Sequence, residues 1–85
     1  LDFKNRGERI MPIELELKIK DSIKLNLKDA RAKQKLSQEQ LSTKCGIHRV
    51  SIARYESGNQ LPSVINLYAL ASALNVNVAR LIRLV

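Results

Sequence analysis

The chain has no tryptophan, a single cysteine and only three other rings of any size besides its one histidine, those of Phe3, Tyr55 and Tyr68. A core without large rings has to be filled by Leu, Ile, Val and Ala, and that content favours packed short helices over a β-sandwich. Cys45 stands alone and cannot close an internal disulfide, which agrees with a reducing compartment. No apolar run is long enough to span a bilayer, and the N-terminal residues lack the apolar stretch of a secretory signal, so a cytoplasmic location is expected. Acidic residues are also scarce. Against 15 Lys and Arg there are 8 Asp and Glu, leaving a net charge of +7 that favours a polyanionic partner. The 85 residues leave room for one compact core.

Catalytic chemistry is missing as well. The sequence shows no nucleophile and base at a recognisable spacing, no metal-ligand cluster and no phosphate-binding glycine loop, and so small a chain offers little volume for a pocket. The lone His48 has no ligand partners with which to hold a metal ion. No enzyme, cofactor, metal or small-molecule ligand is expected.

What is present changes character along the chain. Leu1 to Met11 is polar with scattered charge and no periodicity, as in a disordered leader. Gly7-Glu8-Arg9 ahead of Met11 can be encoded by a purine-rich stretch like a bacterial ribosome-binding site, which makes Met11 the expected natural start. From Ile13 to Lys20 the pattern alternates strictly, with Ile13, Leu15, Leu17 and Ile19 on one side and Glu14, Glu16, Lys18 and Lys20 on the other. Period two predicts a half-buried strand, residues 13–20 of an N-terminal arm covering residues 1–21. A lone strand must pair, and antiparallel pairing with a second copy would set the Glu end against the Lys end. The first turns of a helix, or a strand-like arm lying on the domain, are the alternatives.

Residues 22–85 read as helical. Ser22 can cap a first helix that carries Ile23, Leu27 and Ala30 inward and leaves Lys24, Lys28, Lys33 and Lys35 in solvent. Ser37 through Gln40 form a capping box for a second, short helix with Leu41 and Cys45 on its apolar stripe. Gly46 ends that helix, and His48 and its neighbours open a third with Ile52 and Tyr55 facing inward. Ser57 to Pro62 is a loop. Ser63 caps a fourth helix with Leu67, Leu70, Ala71 and Leu74 on one face, ended by Asn75 in a left-handed conformation. Asn77 caps a fifth, whose apolar side is Val78, Leu81, Ile82 and Val85.

Two short helices joined through a glycine can cross steeply only where the facing positions are small or apolar. Leu41, Cys45, Ile47, Ile52 and Tyr55 fall at those positions, and Gly46 falls where the turn needs a positive φ.

Residues Leu36-Ser37-Gln38-Glu39-Gln40-Leu41, Gly46-Ile47, Ile52 through Gly58, Leu61-Pro62-Ser63 and Leu67 through Val76 together resemble a known family. It is the phage-repressor and Cro-like, XRE-type helix-turn-helix family. The resemblance runs from about Ile23 to Leu84 without a gap and implies an all-α, five-helix lambda-repressor-like fold whose third helix enters the DNA major groove. On that resemblance Arg49, Val50, Ala53 and Arg54 face base edges. Arg49 would read guanine through its N7 and O6 acceptors, and Val50 would sense a thymine methyl group. Gln38, at the start of the second helix, would touch phosphate and brace the start of the third, and the backbone N–H groups near Gln38 also favour an anion. Lys44, His48, Ser51, Ser57, Asn59 and Gln60 would hold the sugar-phosphate backbone. Arg31 and Glu56 match a buried ion pair of the family. Cys45 reads as a small core residue.

Two departures bear on function. Ser42 replaces the usual Ala, a small-for-small exchange. The loop after Gly58 lacks the Lys or Arg common there, so its phosphate contacts would be neutral, while the excess charge lies between Lys18 and Lys35 and either reaches flanking phosphates or serves solubility. The functional expectation is a nucleoid-associated transcription regulator, a repressor or controller, that binds a palindromic double-stranded operator as a homodimer. Dimerisation would use the Ile13 to Lys20 strand or the fifth helix. An interaction adaptor or antitoxin using the same fold is the alternative, and Arg49 and Arg54 weigh against the adaptor because it would have no use for them.

Overall fold

A computed structural model describes residues 11–85; of the leader expected over Leu1 to Met11, all but Met11, which is the N-cap of α1, lies outside them. Five helices follow one another: α1 (Pro12–Lys33), α2 (Gln38–Cys45), α3 (Arg49–Ser57), α4 (Val64–Leu74) and α5 (Val78–Ile82). The all-α expectation holds, with α2 to α5 close to their anticipated bounds.

The strand expected at Ile13 to Lys20 is not formed. These residues are the first turns of α1, which begins with Pro12 at a position where a missing N–H costs nothing and runs unbroken to Lys33. Leu, Glu and Lys are strong helix formers, and extending a helix already nucleated further along the chain is easier than forming a strand without a neighbour. Glu16 and Lys20 also stand one turn apart and pair at 3.2 Å. The alternation then acquires a different meaning: Leu15 and Ile19 turn partly inward, whereas Ile13 and Leu17 remain 62% and 58% exposed.

Ser22, expected as an N-cap, is instead a buried residue in the interior of α1. Its Oγ donates to the Lys18 carbonyl at 2.8 Å and accepts from the Val85 N–H at 3.1 Å. One turn on, the buried Asn26 Nδ2 donates to the carbonyls of Leu81 at 3.1 Å and Arg83 at 2.8 Å. These are carbonyls that a helix end leaves without partners. A helix of five residues such as α5 cannot persist by itself, so α1 supplies its C-terminal closure. Asn77 stands at the N-cap of α5 without a side-chain capping bond, and the apolar side expected for this helix is only partly realised: Leu81 is buried, while Ile82 and Val85 are exposed.

Around this frame Leu27, Ala30, Leu41, Ile47, Ile52, Tyr55, Leu70, Ala71, Leu74 and Leu81 form one core, with Cys45 packed at its edge. The Tyr55 hydroxyl is satisfied by Asn66 Nδ2 at 2.9 Å, joining α3 to α4. Gln34 Nε2 donates to the carbonyl of Leu74, joining the end of α1 to the end of α4. Asp29 of α1 lies 3.0 Å from Arg80 of α5 and 3.3 Å from Lys33. The hydrogen bond from Arg80, then that from Lys33, holds this carboxyl below its ordinary value of 3.8. Because the folded-state value is the lower one, the contribution is present above that ordinary value and is lost as pH falls through the folded value; exposure keeps it small.

Replacing Asn26 with Ala leaves two carbonyls at the end of α5 without their donor. The expected loss is about 2 kcal/mol in urea unfolding, with hydrogen exchange accelerated first in α5.

Candidate nucleic-acid interface

Each end of the α2-turn-α3 unit is set by a local rule. Ser37 Oγ accepts from the Gln40 N–H at 3.0 Å while Gln40 Oε1 accepts from the Ser37 N–H at 2.8 Å, so the expected capping box is complete. Gly46 takes φ +75°, where a side chain is strained, and its N–H donates to the Ser42 carbonyl at 2.9 Å. Ser42 Oγ donates to the Ile47 carbonyl at 2.5 Å across the turn, a bond that the Ala common at this position would not make. His48 is the N-cap of α3, its Nδ1 accepting from the Val50 N–H at 3.1 Å.

On α3 the residues divide by helical spacing. Ile52, Tyr55 and Glu56 are buried, while Arg49, Val50 and Arg54 are exposed and Ala53 is half-buried between them on the outer face. Ser51 borders that face. Among the described residues neither Arg49 nor Arg54 has an ion-pair or side-chain hydrogen-bond partner, so both guanidinium groups keep all their donors for an external acceptor. Lys44 is exposed in the last turn of α2, Ser57 is exposed at the end of α3, and Asn59 and Gln60 are exposed in the loop after it. Ser57 Oγ donates to the Arg54 carbonyl at 3.1 Å, and the Asn59 N–H donates to the same carbonyl at 3.0 Å.

What holds α3 at its angle is the expected ion pair. Arg31 grips Glu56 with two parallel bonds, Nε to Oε2 at 2.7 Å and Nη2 to Oε1 at 2.8 Å. Its Nη1 donates to the Leu36 carbonyl at 2.7 Å, closing the turn between α1 and α2. The hydrogen bonds to Glu56 raise the Arg31 pKa further above its ordinary range. Gln38 joins the same carboxylate, Nε2 to Oε1 at 3.1 Å. The resemblance had implied that Gln38 braces the start of α3; it braces the last turn instead, because the carboxylate that can accept its amide lies there.

Three residues on α4 went unremarked in the sequence. Val64, Ile65 and Tyr68 are 69%, 80% and 63% exposed in the first turns of α4, whereas Leu70, Ala71 and Leu74 further along the helix are buried. The signal for them was available as apolar residues at helical spacing off the core stripe.

Two short helices crossing through a left-handed glycine, with an outward basic face on the second, define a helix-turn-helix DNA-binding domain. The HTH_3 helix-turn-helix family matches residues 27–81, and the chain belongs to this family of DNA-binding transcription regulators. Among solved structures it is similar to the restriction-modification controller protein C.AhdI from Aeromonas hydrophila, at 30% identity and a TM-score of 0.68, covering 74% of this chain and 92% of that one. It is also similar in fold to an HTH_3 family transcriptional regulator from Vibrio cholerae, at 23% identity and a TM-score of 0.75, covering 78% of this chain but only 37% of the other. No curated protein matches the sequence. Among the described residues no helix is long and apolar enough to cross a membrane, and no group of side chains could hold a metal ion.

Removing the shared carboxylate with Glu56→Ala leaves Arg31 and Gln38 without their acceptor. Stability measured by urea unfolding should fall by about 3 kcal/mol, whereas an unchanged midpoint would show that the pair does not hold α3.

Proposed function

We propose that the protein represses or controls transcription by binding a palindromic duplex operator as a homodimer, with α3 lying in the major groove. The observation that carries this reading is the outer face of α3, where Arg49, Val50, Ala53 and Arg54 stand together and the two guanidinium groups are unpaired among the described residues. Arg49 reads a guanine through N7 and O6, and Val50 contacts a thymine methyl group. Lys44, His48, Ser51, Ser57, Asn59 and Gln60 fix the register on the sugar-phosphate backbone. Gln38 adds backbone N–H groups at the start of α2, its side-chain amide being engaged by Glu56.

One domain of this size makes few base contacts, and a second copy doubles them. The exposed row Val64, Ile65 and Tyr68 is the apolar surface best suited to that pairing, since it is contiguous and adjoins the α3–α4 loop. Two-fold symmetry then places half-sites about one helical turn apart. The likeness to a restriction-modification controller over most of that protein's length supports a regulator of the controller kind.

The test is selection of bound sequences from a random duplex library at fixed moderate salt. Wild type should enrich a two-fold symmetric site. An Arg49→Ala, Arg54→Ala double variant should keep only salt-sensitive, non-specific binding, and Ile65→Asp should lose the symmetric site while remaining folded. If wild type enriches no sequence, the regulator reading fails.

A further inference from the structure

The last residue of α3 and the loop that follows it, Ser57 to Gln60, flank the face of α3 turned toward DNA in the reading above, yet contain no cation of their own. A side chain from another element lies beside it. Gly58 closes α3 at φ +78°, and the position a Cβ would occupy there is 3.5 Å from Lys24 Cδ of α1. A side chain at position 58 would just touch the lysine stem, so the stem passes close to this turn. Lys24 is correspondingly half-buried, although the sequence placed it in solvent with the other lysines of α1.

Lys20 is paired with Glu16 at 3.2 Å and Lys33 with Asp29 at 3.3 Å, whereas Lys18, Lys24 and Lys28 have no ion-pair partner among the described residues, and of these three only Lys24 is half-buried. The Lys24 stem is thus held near the end of α3 while its charge has no acceptor among the described residues.

We infer that Lys24 is a backbone-phosphate contact of the DNA complex, supplying from α1 the positive charge that the α3–α4 loop lacks. The inference rests on the DNA-binding reading of α3. A lysine ammonium is a point charge suited to a phosphate oxygen and carries no base specificity, so its contribution appears as affinity and salt dependence. Together with the side-chain amide of Asn59 it forms a clamp drawn from α1 and the loop after α3, two segments far apart in sequence.

The experiment is a salt titration of binding to the duplex enriched by wild type, followed by fluorescence anisotropy, using the full chain. Lys24→Met keeps an apolar stem on Gly58 and removes the charge; Lys24→Arg keeps the charge; Lys33→Met removes a charge already paired with Asp29. For Lys24→Met the slope of log affinity against log salt should shrink by about 0.9 per protomer, with a loss of about fivefold per protomer near 0.15 M salt. Base preference and the urea midpoint should stay at wild-type values, Lys24→Arg should restore the slope, and Lys33→Met should leave it unchanged. An unchanged slope for Lys24→Met, or an equal change for Lys33→Met, overturns the assignment while leaving the regulator reading in place. Failure of wild type to select any duplex overturns both.

Discussion

The structure depends on one carboxylate. Glu56, buried at the end of α3, accepts two bonds from Arg31 of α1 and a third from Gln38 of α2, so three helices meet on its two oxygens. The apolar seat of α3 is narrow, consisting chiefly of Ile52 and Tyr55, and two side chains alone do little to resist rotation of a nine-residue helix about its axis. A planar guanidinium meeting a carboxylate edge-on accepts only one orientation, and that restriction sets which residues of α3 face outward. The same fork reaches the Leu36 carbonyl, so the α1–α2 turn and the angle of α3 are set by a single side chain.

A second constraint is the shortness of everything after α1. Helices of eight, nine, eleven and five residues are too short to persist alone, and each is closed by specific groups. Ser37 with Gln40, His48 and Ser63 satisfy N-terminal donors, and Gly46, Gly58 and Asn75 turn left-handed to satisfy C-terminal carbonyls. The last helix is completed from α1 through Ser22 and Asn26. Because these closures lie at the helix ends and the core lies on one side, the outer face of α3 is left without structural duties. A recognition surface can vary there at little cost to folding.

The legible part of the sequence was the part governed by short-range rules. Caps at Ser37, His48 and Ser63, stops at Gly46 and Asn75, and the core spacing through Leu41, Ile52 and Tyr55 all act within a few residues of themselves, so they could be read in order along the chain. Ile13 to Lys20 failed for a definable reason. Alternation is compatible with a strand only if a neighbouring strand exists, whereas Glu, Leu and Lys extend a helix without outside help, and the pattern by itself does not say which condition holds. Ser22 was misplaced in consequence, since a cap was needed only if α1 began there.

The order of helices, the turn at Gly46 and the spacing that separates Ile52 and Tyr55 from Arg49, Val50 and Arg54 on α3 were determined by the sequence alone, because each follows from local hydrogen bonding and helical period. Only the tertiary structure decided which end of α3 Gln38 braces, that Ser22 and Asn26 close α5, that Val64, Ile65 and Tyr68 remain uncovered, and that Lys24 lies along Gly58. Each of these depends on residues distant in the chain arriving side by side, and that arrangement is settled when the shared core around Leu27, Leu41 and Leu70 closes.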